Sequence, residues 1–289
     1  MQRKNQQKEI DNNFQEVYIH NNRLDDKMVT KKPIKSTTTS TSTTTTTTAT
    51  TTKKNDTQID RQLRLREFCK KSKHLRDENF SAMNQNMLFS DRASTIYCYV
   101  PKVACTNWKR VFLVLEGKIE NPLDIVRKEK VHLQKYKSFK DFRNGKEITW
   151  RQNLYYSFLF VRHPFERVLS AYRNKLQDPY NRQYQRMYGS TILRMFRDDL
   201  TEREYKAGKN VTFPEFVEYI IKTYNEKGAK HLNEHWQIMH KLCHPCNIKY
   251  NFIGKMDSLI EDSNQVLKEI GWSDRVKFPA SAKDKYKRI

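Results

Sequence analysis

Residues 97–110 read YCYVPKVACTNWKR, and the fold turns on how this stretch is read. From Thr95 to Val100 the residues are mostly β-branched or aromatic, which predicts a strand. Pro101 lacks an N–H and stops the ladder. From Thr106 the apolar spacing changes: Trp108, Val111, Phe112 and Leu115 share one helical face, and Gly117 suits the helix C-terminus. Thr106 can cap the start of that helix, with Asn107 as the alternative. A strand turning straight into a helix presents free N–H groups and the positive end of the helix dipole, a setting for an anion. Lys102 adds a mobile positive charge and Thr106 a hydroxyl, while small Ala104 and Cys105 let the backbone approach a ligand. The nucleoside-triphosphate loop GxxxxGK[ST] is absent. Taken alone, the stretch fits a buried strand and helix with a surface lysine equally well.

A second stretch of the same design breaks that tie. Residues 155–161, YYSFLFV, form a buried-strand candidate, followed by RHPFERVLSAYRNK over 162–175. Pro164 suits a first helical turn, and Phe165, Val168, Leu169 and Tyr172 fall on one apolar helical face. Arg162 stands just off the strand and Ser170 inside the helix; a guanidinium fork and a hydroxyl both suit a phosphate. Two strand–loop–helix units imply crossover connections. The predicted fold class is therefore α/β, a central parallel sheet flanked by helices.

Composition sets the boundaries. In the 289-residue chain, residues 36–52 read STTTSTSTTTTTTATTT and the stretch before them is polar, so neither can build a core. We expect residues 1–60 to be a disordered polar region with a Ser/Thr-rich stem, and residues 61–289 to be one domain. The net charge is +22, and the first 60 residues hold ten Lys/Arg against seven Asp/Glu, so +19 belongs to residues 61–289. Such a field concentrates polyanions. No zinc-finger or RNP-type module accompanies it, so a nucleic-acid partner is not expected. No apolar run reaches membrane-spanning length, and Met1 opens no signal peptide. The literal expectation of a soluble cytosolic chain competes with the stem-like tract and with N-glycosylation sequons at Asn55, Asn79 and Asn210. Among five cysteines, Cys243 and Cys246 form CHPC, which leaves disulfide partners, buried thiols and a zinc site open.

PKVACTNWKR resembles the 5′-phosphosulfate-binding loop of the Golgi carbohydrate sulfotransferases, and more distantly the PKSGTTW-type loop of cytosolic sulfotransferases. The block NEHWQIMHKLCHPCNIKYNFIGKMDSLIEDSNQVL over 233–267 resembles a segment shared by the chondroitin/dermatan 4-O-sulfotransferases and the natural-killer-epitope sulfotransferases. RVLSAYRNK and NEHWQ…LCHPC look closest to the chondroitin 4-O-sulfotransferase branch, and the similarity covers roughly His74 to Ala282. It implies a P-loop-like three-layer fold and 3′-phosphoadenosine 5′-phosphosulfate (PAPS) as co-substrate, with no metal. The donor would be held by Pro101, Lys102, Val103, Ala104, Cys105, Thr106 and Asn107 at one end. Arg162, His163, Pro164, Phe165, Glu166, Arg167, Val168, Leu169 and Ser170 would form the other, with Arg162 and Ser170 on the 3′-phosphate.

By the same resemblance Lys102 stabilises the leaving bridging oxygen. His235 is the first candidate for the base, because histidine titrates near neutrality; His132 and Glu166 follow. The acceptor is an acidic polysaccharide of chondroitin or dermatan type, lined by Arg110, Arg167, Arg173 and Lys175. Family members begin with a membrane anchor and continue past the Phe278-Pro279 dipeptide with an aromatic-rich helical region. The expectation is thus a type II protein of the Golgi lumen whose anchor is not in this chain, and a domain lacking its C-terminal helical part. A glycan-binding remnant without turnover is the alternative.

Overall fold

The computed structural model describes residues 48–76, 86–125, 127–142 and 145–279. Most of the stem, the sequon at Asn79, the Asn55 side chain and the tail after Pro279 lie outside the described residues. In chain order the elements are α1 (Thr48–Lys71), β1 (Met87–Ser90), β2 (Thr95–Cys98), α2 (Cys105–Leu115), α3 (Lys128–His132), α4 (Gly145–Leu154) and β3 (Tyr156–Val161). Then come α5 (Pro164–Tyr172), a π-helical turn over Arg173–Gln177, α6 (Arg182–Tyr184), a second π turn over Gln185–Gly189, α7 (Ser190–Phe196), α8 (Glu202–Ala207), α9 (Phe213–Lys227), α10 (Met239–Cys243), β4 (Phe252–Lys255) and α11 (Leu259–Glu269).

The sheet runs β1-β2-β3-β4. β2 and β3 are parallel, Thr95 opposite Tyr156, and so are β3 and β4, Phe158 opposite Phe252. Parallel neighbours need crossovers; α2–α4 supply the first and α5–α10 the second. The expected central parallel sheet flanked by helices is present, and β1 adds an antiparallel edge. Both loop-bearing strands end on the same side of the sheet, as parallel strands must, so both loops share one rim.

Aromatic packing fixes α2 on the sheet. Trp108 is fully buried and lies 4.5 Å from Phe158, 5.5 Å from Phe160 and 5.1 Å from Phe278, ring centre to ring centre. Its truncation to alanine is worth about 3–5 kcal/mol. Gly254 on β4 faces the Phe160 ring, which would stand 2.3 Å from any Cβ there. A second buried cluster gathers Ala171, Tyr172, Leu193, Phe216 and Trp236 around α5, α7 and α9.

The free edge of β4 is closed by side chains of α1. The Gln58 carboxamide donates to the Ile253 carbonyl at 3.0 Å and accepts from the Ile253 N–H at 3.2 Å, as a neighbouring strand would. Arg61 and Gln62 take the Ile253 and Tyr250 carbonyls, and Asp262 takes the Lys255 N–H. An edge so occupied offers no template for another chain.

Local details differ from the sequence reading. The first helix starts at Cys105, and its N-cap position is held by Ala104 in the left-handed conformation (φ 54°) with no side-chain cap, not by Thr106 or Asn107. Gly117 (φ 68°) ends the helix as expected: its N–H donates to Val114 O while Lys118 N–H donates to Leu113 O, the crossed pair of a Schellman motif. On α5 the buried face is rotated. Phe165 is 44% exposed, while Arg167, Ala171 and Tyr172 are buried, because the guanidinium of Arg167 finds partners that repay its desolvation.

Candidate active site

The first loop is bent by residues that resist bending. Lys102 (φ 73°) and Ala104 (φ 54°) both take left-handed backbone conformations where glycine is usual, at a cost on the order of 1–2 kcal/mol each. The result is a helix start open toward the rim. Among the described residues, no acceptor reaches the N–H groups of Ala104, Cys105 or Thr106, whereas Asn107 and Trp108 donate to the Ala104 carbonyl. Three amides and the positive end of a helix dipole thus lie in the loop that carries Lys102, whose ammonium donates to Asn174 Oδ1 at 3.0 Å in the π turn after α5. The Asn107 carboxamide donates to the Pro279 carbonyl, so the Phe278-Pro279 dipeptide abuts this loop.

The second loop is stitched to the first. Arg162, just past β3, donates to the Lys102 carbonyl at 3.4 Å and pairs with Glu166 at 3.1 Å. Arg167 donates through three nitrogens to the carbonyls of Pro101 (2.9 Å), Gln237 (2.6 Å) and Glu234 (2.7 Å). One buried guanidinium therefore ties both loops to the NEHWQ segment. His163 stands at the α5 N-cap and its ring packs on Phe165; Pro164 opens the helix, and Ser170 is half-buried on it. Val168 and Leu169 pack on the second cluster.

The NEHWQ segment brings His235 to the same rim. Asn233 Oδ1 accepts the His235 backbone N–H at 3.0 Å and lies 2.7 Å from Nδ1, while Asn233 Nδ2 donates to Tyr188 Oη. The backbone N–H can only donate, so that atom of Asn233 is the acceptor and Nδ1 carries the proton. Nε2 is left with the lone pair. Burial, followed by the charges of Lys175, Lys102, Arg167 and His132, pulls the ring down to about 3, so it is neutral at pH 7. His132 joins from α3: Nε2 lies 3.0 Å from Thr106 Oγ1 and Nδ1 lies 3.4 Å from Lys109 Nζ. Desolvation, then Lys109 and Lys175, lower it to about 4. Lys175 acts on both rings and lies 4.0 Å over the Tyr184 ring, which also packs edge-on against His235.

The sequence has counterparts among known proteins. Residues 85–288 match the model described as Sulfotransferase family. The chain belongs to the sulfotransferase family. Its relatives include carbohydrate sulfotransferase 11 of Rattus norvegicus, 43% identical over 69% of this chain and 56% of the relative, and carbohydrate sulfotransferase 14 of Homo sapiens, 43% identical over 68% and 49%. Carbohydrate sulfotransferase 12 of Mus musculus is 34% identical over 79% and 60%. This sulfotransferase-family chain thus spans about half the length of the curated relatives it matches. No solved structure matches it.

Within this family member the predicted cations separate into two groups. Arg173 is exposed and Lys175 lines the rim. Arg110 is half-buried and donates to the Ile125 carbonyl and to Asn107 Oδ1, whereas Arg167 is only 3% exposed and does not present the expected solvent-facing charge to a polysaccharide. Glu166, a runner-up base, is paired with Arg162. Both CHPC cysteines form disulfides with distant partners, Cys69–Cys246 and Cys98–Cys243, which leaves the motif no thiolate for zinc. Cys105 is the free thiol among the described residues. Asn210 is exposed, with φ 62°, before the Thr212 cap of α9. The sequence reading missed Asn174, Asn233, Tyr184 and Lys109. Asn174 and Tyr184 lie in or beside π turns, which no hydrophobic period announces. A cavity of about 500 Å3 between α1, β4 and α11 shares no lining residue with the two loops, and its Glu261, Asp262 and Glu269 do not suit a polyanion.

Proposed function

We propose that the protein transfers a sulfuryl group from PAPS to a sugar hydroxyl of an acidic glycosaminoglycan, the 4-position of N-acetylgalactosamine in chondroitin or dermatan. The observation that carries this reading is the pair of anion loops joined through Arg162 and the Lys102 carbonyl. The residues present fit the donor. The 5′-phosphosulfate needs several donors at one point, and the N–H groups of Ala104, Cys105 and Thr106 with Lys102 supply them. The 3′-phosphate needs a fork, and the Arg162 guanidinium supplies one, with the Ser170 hydroxyl on the helix that follows as a further donor. The family resemblance and the relatives' own description as carbohydrate sulfotransferases support the reaction class.

In the reaction the acceptor hydroxyl oxygen attacks sulfur, and the bond from sulfur to the bridging oxygen breaks. That oxygen leaves with the electron pair on adenosine 3′,5′-bisphosphate. Lys102 and the loop amides stabilise this developing charge, the larger share of such catalysis. The hydroxyl proton goes to His235 Nε2, the ring atom that the Asn233 contact leaves unprotonated. Burial first, then Lys175 and Lys102, hold the ring's basicity down. An anionic donor on Lys102 offsets that charge and raises the basicity when the proton must be taken. The Golgi lumen is the proposed location. Two disulfides suit an oxidising compartment, and an exposed Asn210 suits a glycan. Among the described residues no helix is long and apolar enough to cross a membrane.

The test is incubation of the purified chain with radiolabelled PAPS and desulfated chondroitin or dermatan, followed by disaccharide analysis. Label on the 4-position is expected. Adenosine-bisphosphate binding without label in polymer would favour a glycan-binding remnant instead.

A further inference from the structure

Lys109 is a buried cation without a counter-charge. It stands on the second turn of α2 and is 9% exposed. Its ammonium lies 4.3 Å from the centre of the Tyr99 ring, 5.5 Å from that of Tyr136 and 3.4 Å from His132 Nδ1. Among the described residues no carboxylate comes within ion-pair distance of it. Burial pushes the ammonium below its usual range, and Cys105 and Glu234 offset this only through space. Other buried or half-buried cations are satisfied differently. Arg61 pairs with Asp262 at 2.8 Å, Arg197 with Glu215 at 2.7 Å, and Arg167 has three carbonyls. An unpaired buried charge is expensive, and here two aromatic faces and an imidazole hold it in place without neutralising it.

Its surroundings place it beside the first loop. His132, an exposed residue whose Nδ1 is part-buried against Lys109, touches Thr106 of the first loop through Nε2. Lys109 itself lies four residues beyond Cys105, about 6 Å further along the helix axis than the amides that face the donor. The donor's two anionic ends are already matched by Lys102 with the loop amides and by Arg162. Lys109, matched by neither end and without a carboxylate partner among the described residues, accordingly calls for a separate anion.

We propose that Lys109 is the receptor for a uronate carboxylate of the acceptor polysaccharide, with His132 and Tyr136 forming the mouth of that subsite. The inference rests on the sulfotransferase reading and specifies what the acceptor must carry beside the hydroxyl that is sulfated. A uronate docked there fixes the register of the polymer, so the enzyme distinguishes a carboxylated chain from a neutral one of the same sugars.

The test compares chondroitin with carboxyl-reduced chondroitin, using the full chain and its Lys109→Met and Lys109→Arg variants. Methionine keeps the stem that packs on the tyrosines and removes the charge. The wild type should prefer the carboxylated polymer. Lys109→Met should raise the KM for chondroitin about tenfold, equivalent to 1.4 kcal/mol, with no change on the carboxyl-reduced polymer. Lys109→Arg should retain part of the preference. Adenosine-bisphosphate affinity, read by calorimetry, should stay unchanged; a loss there would reassign Lys109 to the donor and overturn the proposal. Equal KM changes on both polymers, or none, would overturn it as well. Equilibrium binding of the two polymers needs no turnover, so it tests the subsite even if the wild type transfers no sulfate. That last result would count against the proposed reaction alone. Should Lys109→Met fail to fold, a wild type indifferent to carboxyl reduction is itself disproof.

Discussion

The Arg162 guanidinium donates to the Lys102 carbonyl at 3.4 Å, and with Arg167 on the Pro101 carbonyl it joins the second loop and its helix to the backbone of the first. On the proposed reading, the residue that would grip one end of the donor also props the backbone of the residue that would grip the other. Lys102 holds a left-handed conformation at that point, and a propped carbonyl helps to maintain it.

Lys102→Ala should therefore lower kcat by roughly 10²–10³ and leave the melting temperature nearly unchanged, because the ammonium is bound only at the rim. Arg162→Ala should act differently. It should weaken adenosine-bisphosphate binding by about tenfold or more, since hydrogen bonds to charged groups are worth about 1.5–3 kcal/mol. Steady-state kinetics and calorimetry on the two variants separate these effects. Wild-type rates in either would remove the donor-site assignment.

Arg167 and Arg173 lie six residues apart and should part company on mutation. Arg167→Met leaves three carbonyls, those of Pro101, Glu234 and Gln237, without their donor. At about 1–3 kcal/mol for each unsatisfied buried group, a loss of several kcal/mol is expected in urea melts. Arg173→Ala, on an exposed position, should cost less than about 0.5 kcal/mol and show instead a raised KM for polyanionic acceptor at low salt. Equal stability of the two variants would refute the tether.

This contrast also shows what could be read from the chain alone. Strand–loop–helix units at 95–117 and 155–172 were legible because Pro101 and Pro164, β-branched runs and helical spacing coincide there, and the parallel sheet followed from having two of them. The direction of Arg167 was not legible. Helical spacing put Phe165 on the buried face, and only the carbonyls of Pro101, Glu234 and Gln237, distant in sequence, make it favourable to bury a guanidinium instead. The Ala104 cap was hidden for a similar reason: propensity favours Thr106 or Asn107, but the backbone reaches the helix cap two residues before Thr106 by adopting a left-handed bend. The CHPC motif could not name its partners, because Cys69 and Cys98 are brought to it by α1 and β2.

The disulfides give a covalent check on that arrangement. Non-reducing peptide mapping should recover Cys69–Cys246 and Cys98–Cys243, with no Cys243–Cys246 link, and only Cys105 should react with a thiol reagent in the native protein. Cys98–Cys243 joins β2 to α10 across 145 residues. Its removal by Cys98→Ser should cost about 2–5 kcal/mol, measured as a lower denaturation midpoint. A map with different pairs would refute the placement of α1 against the CHPC segment.

Acid should destabilise the fold through its neutral histidines. His235 titrates at about 3 in the folded protein and His132 at about 4, against an ordinary histidine near 6.5. The unfolded chain therefore takes up protons below pH 6.5 that the folded chain refuses. The stability tied to these rings is complete above that pH and is lost as the pH falls toward 3–4. His235, half-buried, should contribute a slope approaching about 1.4 kcal/mol per pH unit between pH 4 and 6; His132 is an exposed residue and should contribute less. His240 is also lowered by burial and leaves a residual slope. Urea melts at pH 4, 5, 6 and 7 on wild type and on His235→Asn read this directly, and an unchanged slope in the variant would show that His235 is not held neutral. The same ring should leave no histidine ionisation near pH 6.5 in the kcat/KM profile of the free enzyme. A bell centred on 6.5 that vanishes in His235→Asn would mean that the site is less desolvated, or less positive, than the contacts around Asn233, Tyr184 and Lys175 imply.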